Sequence, residues 1–223
     1  MIATALNRPL DFFSATIGKK VVMAVTGVIL FGFVIGHLLG NLQVFLGREK
    51  LDAYAETLRH LGGLLWIARG VLLLSVILHI VSSIQLAMLK NEARPIAYTK
   101  KESVASSYAS RTMMWSGPIV AAFIVYHLLH FTFGVVHPTF VEGHVYDNVI
   151  AGFSSVPVSL FYIVAMILLG QHLYHGVWSM FQTLGVGQPR YSERLRTVAA
   201  ALTAFIVIGN VSIPLAVLLG IVK

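Results

Sequence analysis

Imidazole is the side chain in this sequence with most capacity for chemistry. Of nine histidines, six lie inside long apolar stretches: His37, His79, His127, His130, His172 and His175. His60, His137 and His144 fall in or beside the connections between those stretches. A neutral imidazole binds a metal through one ring nitrogen and is oriented by a hydrogen bond at the other. There is no cysteine, which excludes disulfides, iron–sulfur ligation and covalent haem attachment within the chain. Imidazole is then the natural axial ligand for a haem iron, with Met the other one that the composition offers. An iron held by two axial imidazoles keeps no open position, so it carries electrons and does not activate oxygen.

The elements that hold these residues follow from where charge is missing. Of 223 residues, 57% are hydrophobic and 11% charged, against about 25% charged in an ordinary soluble domain. Lipid, not water, is the solvent. Five windows carry no Asp, Glu, Lys or Arg: Val21–Gly47, Gly70–Leu89, Thr112–Val141, Asn148–Pro189 and Thr197–Val222. A membrane helix needs about 20 apolar residues, so each window admits one. The fourth, 42 residues long, has room for two. However, Ser154-Ser155-Val156-Pro157 has the form of a cap and first-turn proline, and Gly185-Val-Gly187-Gln-Pro189 that of a stop. One helix with an interfacial lead-in fits. The expected fold is an all-α bundle of five transmembrane helices at about 20–46, 64–90, 112–136, 156–185 and 195–222, in one membrane domain over 1–223. Pro214 is expected to kink the last helix. Residues 1–20 contain Arg8, Asp11, Lys19 and Lys20, unlike the core of a signal peptide.

With five spans, eleven of the sixteen Lys and Arg residues gather on the N-terminal side and five on the other. The positive-inside rule places the N-terminus in the cytoplasm and the C-terminus outside. The net charge of +7 is thus a topology signal, and nothing in its distribution suits nucleic acid. The 90–111 connection, with Lys90, Arg94, Lys100, Lys101 and Arg111 against Glu92 and Glu102, is expected to dock a soluble partner or anionic lipid.

Each of the first four helices carries at least one histidine: His37, His79, His127 or His130, and His172 or His175. A single one is as well explained by an interhelical hydrogen bond; one in each of four helices points to function. Depth sharpens this. His37 and His127 lie about 15–17 residues, or roughly 22–26 Å, from the inner ends of helices running outward. His79 and His172 lie about 11–12 residues, roughly 16–18 Å, from the inner ends of helices running back. An outer and an inner pair result, each drawn from two helices, as two bis-histidine haems stacked across the bilayer require. Gly40, Ser75, Ser83 and Gly176 stand three or four residues from these histidines and would let a porphyrin approach. The row Gly32, Gly36, Gly40 also reads as close helix contact.

The stretches Gly36-His37-Leu-Leu-Gly-Asn41, Leu78-His79-Ile-Val-Ser-Ser-Ile-Gln-Leu-Ala87, Val125-Tyr-His127 and His172-Leu-Tyr-His175-Gly176-Val-Trp178-Ser179 resemble the cytochrome b membrane-anchor subunit of succinate dehydrogenase and fumarate reductase, of the five-helix, two-haem type. The resemblance spans nearly the whole chain, and the pattern at 172–179 is its most specific part. It implies two haem b groups, the outer held by His37 and His127 and the inner by His79 and His172. His130 and His175 match no ligand position, a choice that depth cannot make. It further implies a flavoprotein and an iron–sulfur protein as partners on the inner side of a bacterial cytoplasmic membrane, with electrons exchanged with a quinone, commonly menaquinone. No succinate-oxidising site is expected in this chain. Asn41 and Gln43, or by location Glu56, His60 and Trp66, are candidates for the quinone region. Two other readings are a dihaem cytochrome b of a nitrate reductase, formate dehydrogenase or hydrogenase, and a histidine-lined metal or proton transporter. The first tends to concentrate its ligands on shared helices, and the second usually wants a carboxylate within the spans, which the five windows lack.

Overall fold

The computed structural model describes residues 12–93, 108–185 and 189–223. Its helices are α1 (Thr16–Asn41), α2 (Arg48–His60), α3 (Gly63–Glu92), α4 (Tyr108–His127), α5 (Val145–Phe153), α6 (Val156–Thr183) and α7 (Ser192–Leu218). Among the described residues there is no strand. Five of the helices, α1, α3, α4, α6 and α7, are long and apolar enough to cross a membrane. The chain is the all-α, five-span integral membrane protein that its charge-free windows require.

The spans are arranged for lipid. The buried residues of α3 are Ser75 and Ser82, while Leu73, Leu74, Ile77, Val81 and Ile84 are exposed. Small side chains face the bundle and large apolar ones the hydrocarbon, because no hydrophobic force pulls leucine inward in a bilayer. The close helix pairs are α6 with α7, α1 with α3, and α4 with α6, with lighter contacts of α1 to α6 and α7. Glycines permit some of these approaches. A Cβ at Gly170 would stand 2.5 Å from Val207 of α7, and one at Gly209 would stand 2.9 Å from Leu38 of α1.

Helix ends differ from the expected ones for local reasons. α1 starts four residues earlier than expected, at Thr16, and passes at its far end into a 3-10 turn over Leu42–Leu46. Gly47, at φ +94°, then turns the chain into α2. α4 loses its α-geometry at His127 and continues as a π turn over Leu128–Thr132, short of the expected residue 136. Gly134 then reverses the chain at φ +70°, with the Phe140 ring against it. α6 starts at Val156 with Ser155 in the capping position and a proline in its first turn, though no side chain caps it. Pro214 lies within α7 without ending it, and Gly220 at φ +68° follows the terminus. Residues 94–107 and 186–188, which contain most of the basic connection and part of the expected stop at 185–189, lie outside the described residues, as does Arg8.

One end of the bundle is capped by two short helices. α5 is the interfacial lead-in; α2 was not foreseen. Asp52 of α2 accepts a hydrogen bond from the backbone N–H of Tyr146 at the start of α5, at 2.9 Å, and Arg48 pairs with Asp147. The Tyr146 hydroxyl donates to the carbonyl of Lys223 at 2.9 Å. Asn148 of α5 exchanges hydrogen bonds with both backbone groups of Val141 in the preceding loop. The five spans thus share one closed-over end, called here the capped end.

Candidate functional site

The histidines of the spans meet in two pairs. At the capped end His37 of α1 faces His127, the last residue of α4, with ring centroids 5.8 Å apart and planes at 86°. Nearer the opposite end His79 of α3 faces His172 of α6, with centroids 6.2 Å apart and planes at 58°. Neither α1 with α4 nor α3 with α6 is a close helix pair, so the rings reach toward each other across gaps that the backbone leaves. Two metal–nitrogen bonds of about 2 Å, plus about 1.1 Å from each nitrogen to its ring centre, put imidazole centroids about 6 Å apart in a bis-histidine complex. Both pairs stand at that separation.

The two levels are further apart than residue counting from the expected helix ends indicates, which gives about 8 Å. His79 lies against Thr26 and Gly27 of α1, which precede His37 by 10–11 residues, or about 15–16 Å of helix. Most of the difference arises because α1 and α4 begin four residues before the expected positions, which sets His37 and His127 about 6 Å further from the inner ends of their helices.

Two hydrogen bonds orient one ring at each level. Thr26 Oγ1 lies 3.1 Å from Nδ1 of His79 and 2.7 Å from the carbonyl of Val22. Tyr162 Oη lies 3.4 Å from Nδ1 of His127 and 3.0 Å from Nδ1 of His130. Around the rings, Phe33 stacks on His37 at 5.2 Å. A Cβ on Gly27 would be 3.6 Å from His79, and one on Gly117 would be 3.9 Å from His172. His172 Nδ1 is buried and meets no hydrogen-bond partner among the described residues, a cost of about 1–3 kcal/mol that only a partner at that nitrogen would relieve.

The glycine and serine pattern needs correction. Gly40 does not open a face to a bound group: a Cβ there would stand 2.5 Å from the Tyr54 ring, so Gly40 seats α2 on α1. Gly32 and Gly36 of the same row have nothing within 4 Å of a built Cβ and make no close helix contact. Gly176 is likewise open. Ser83 is exposed and donates to the carbonyl of Ile80, while Ser75 is buried.

The remaining histidines are engaged elsewhere. His130, fully buried, lies within the π turn. It stacks on His137 at 4.9 Å. Both nitrogens of His137 are spoken for, Nε2 donating to the Asn148 carbonyl and Nδ1 accepting from Thr139 N–H, so this stacked pair is unsuited to hold iron. His175 is half-buried on α6. His60 is exposed beside Glu56 at 3.5 Å, and His144 beside Asp147 at 3.7 Å. Trp66 is exposed and lies beneath Arg69, apart from that couple. Asn41 and Gln43 are half-buried at the turn where α2 folds back. No three His, Cys, Asp or Glu side chains converge among the described residues, so each histidine pair stands as a pair and not as part of a tetrahedral centre. Sequence reasoning did not single out Thr26, Tyr54 or Tyr162; a lone hydroxyl in an apolar helix carries no spacing signal.

Comparison with known families gives one match: residues 90–211 match the family described as succinate dehydrogenase/fumarate reductase transmembrane subunit. That stretch contains His127 and His172 but not His37 and His79. No curated protein and no solved structure matches the chain.

The glycines at the second level make a graded test. Alanine at Gly27 or Gly117 gives ordinary contact with the facing ring and is expected to leave the pair intact. Leucine at either is expected to drive the ring aside, and, if the two rings hold a haem between them, to remove most of its absorbance from the purified protein. Spectra of Gly27→Leu and Gly117→Leu equal to the parent's would contradict this reading of the pair.

Proposed function

The chain belongs to the succinate dehydrogenase/fumarate reductase transmembrane subunit family, and from that premise we propose that it is the dihaem cytochrome b anchor of a succinate:quinone oxidoreductase. The observation that carries the proposal is the separation of the two ring pairs, about that of a bis-imidazole complex at both levels, across helices that do not pack on each other. His37 and His127 are the axial ligands of one haem b, and His79 and His172 those of the other. Such groups supply one-electron carriage and no more, since two imidazoles close the iron's coordination.

The residues of the chain do the rest. Four helices supply one imidazole apiece. Thr26 and Tyr162 hold two of the four rings by their outward nitrogens. The capped end is the outer side, because five of sixteen Lys and Arg residues gather there against eleven at the other. The N-terminus is then cytoplasmic, in a bacterial inner membrane. A flavoprotein and an iron–sulfur subunit dock at the basic end, and succinate chemistry belongs to them. The whole chain, 1–223, acts as one membrane domain.

Quinone, of the menaquinone type, reacts near the capped-end pair. Asn41 and Gln43 offer there the polar groups that a quinone carbonyl needs, and Tyr54 lies against the neighbouring Gly40. Substitutions that confer resistance to quinone-site inhibitors are expected at the α1–α2 junction. Resistance confined to the basic end would place the site there instead.

The ligand pairs give the sharper test. His37→Ala and His127→Ala are expected each to delete the same haem component in a redox-resolved absorption spectrum, and His79→Ala and His172→Ala the other. His130→Ala and His175→Ala are expected to retain both. Loss of the same component from His37→Ala and His79→Ala would refute the two-level arrangement. Loss of a haem from His130→Ala with retention in His127→Ala would move the ligand to the π turn.

A further inference from the structure

The hydroxyl of Tyr162 stands between two imidazoles of unlike standing, one proposed as a ligand and one fully buried that ligates nothing. We propose that Tyr162 is the positioning residue of His127: its oxygen accepts the Nδ1–H of His127 and donates its own proton to Nδ1 of His130. The inference rests on the ligand assignment above and goes beyond it by fixing which nitrogen of His127 faces the iron.

The argument is one of proton counting. A neutral imidazole carries one N–H, so a ring that binds iron through one nitrogen holds its proton on the other. The contacts of Tyr162 are both with Nδ1 atoms, at 3.4 Å to His127 and 3.0 Å to His130. A phenol has a single proton to give and gives it to the shorter contact. The bond to His127 must therefore run the other way, with Nδ1–H as donor, which leaves Nε2 of His127 for the iron. His130 in turn carries its proton on Nε2, a buried atom with no partner among the described residues. An unmet buried N–H is costly; the bond from the phenol is what the ring gains at its other nitrogen.

The surroundings keep this geometry rigid. The Tyr162 ring is buried between edge contacts of Phe123 at 5.1 Å and Phe153 at 5.0 Å. His130 is pinned against Gly152, where a Cβ would stand 2.9 Å from its Cε1. The two histidines, three residues apart at the junction of α4 with the π turn, both reach that one hydroxyl. The same proton count applies at the other level with a weaker acceptor. Thr26 donates to the carbonyl of Val22 at 2.7 Å and so accepts from Nδ1 of His79 at 3.1 Å. Each level has one ring with its tautomer set by a hydroxyl, a phenol polarised by a second imidazole in one case and an aliphatic alcohol in the other.

An acceptor on Nδ1–H makes an imidazole a stronger donor to iron and favours the oxidised metal. The test is a redox titration of the assembled complex, read by absorption and by low-spin EPR, with the capped-end component identified as the one that His127→Ala removes. Tyr162→Phe is expected to raise the midpoint potential of that component and shift its EPR signal, leaving the other component in place. Thr26→Val is expected to raise the other component alone. A Tyr162→Phe complex with both haems bound and the capped-end potential and EPR signal unmoved would overturn the proposal, as would equal shifts of both components. If Tyr162→Phe loses the haem, fluorotyrosine at position 162, nearly unchanged in volume but a weaker acceptor, decides. A rise confined to the capped-end component supports the proposal, and no change overturns it. Absence of haem from the parent complex would sink the ligand assignment itself, a result distinct from a silent Tyr162→Phe.

Discussion

Everything in this structure depends on facing four imidazoles in an apolar bundle without packing the helices of facing rings against each other. A polar ring in hydrocarbon must find a partner inside the protein. The simplest solution is a direct interhelical hydrogen bond that draws two helices together. Here α1 binds α3 and α4 binds α6, yet the rings that approach are those of α1 with α4 and of α3 with α6. The pairing of helices and the pairing of rings are crossed. That crossing sets imidazoles of separate helices face to face at each level, with Gly27 and Gly117 beside the rings of the second.

The rest of the fold supports that spacing. α7 carries no histidine, and packs on α6 and, at Gly209, on Leu38 of α1, fixing from behind the helices that bear His37 and His172. The cap ties the far ends together. Tyr54 over Gly40 seats α2 on α1, Asp52 and Arg48 join α2 to α5, and Tyr146 reaches the C-terminal carbonyl. Individual surface pairs of this kind contribute little, about 0–1 kcal/mol for an exposed ion pair. Their joint effect is geometric: α1, α4, α6 and α7 cannot splay independently at the end where His37 and His127 face each other.

The spans were legible in the sequence because a charged side chain is excluded from hydrocarbon, so charge-free windows mark helices almost by themselves. Which rings lie close was also legible, because successive helices reverse direction and a residue's offset from its helix end becomes a depth. The magnitude of that depth was not. Thr16 and Tyr108 lie before the charge-free windows yet are helical, so the true spacing of the levels exceeded the counted one. The choice between His127 and His130 was hidden from spacing as well, since residues three apart share a face in an α-helix and the π turn that separates them carries no plain sequence mark. Gly40 misled for a related reason: a glycine beside a histidine signals close approach without naming what approaches, and here it is Tyr54 of a helix that polar, amphipathic sequence at 48–60 had left as a connection. Thr26 and Tyr162 belong to the same blind spot, since a hydroxyl acquires meaning only from the ring that another helix sets beside it.

The central claim is that one chain holds two six-coordinate haems through two crossed histidine pairs. Haem content per chain, measured on the purified protein together with its low-temperature EPR spectrum, tests it most directly. The account predicts two haem b groups per chain and two distinct low-spin signals. One haem per chain, or a dominant high-spin signal from an iron with an open position, would contradict it.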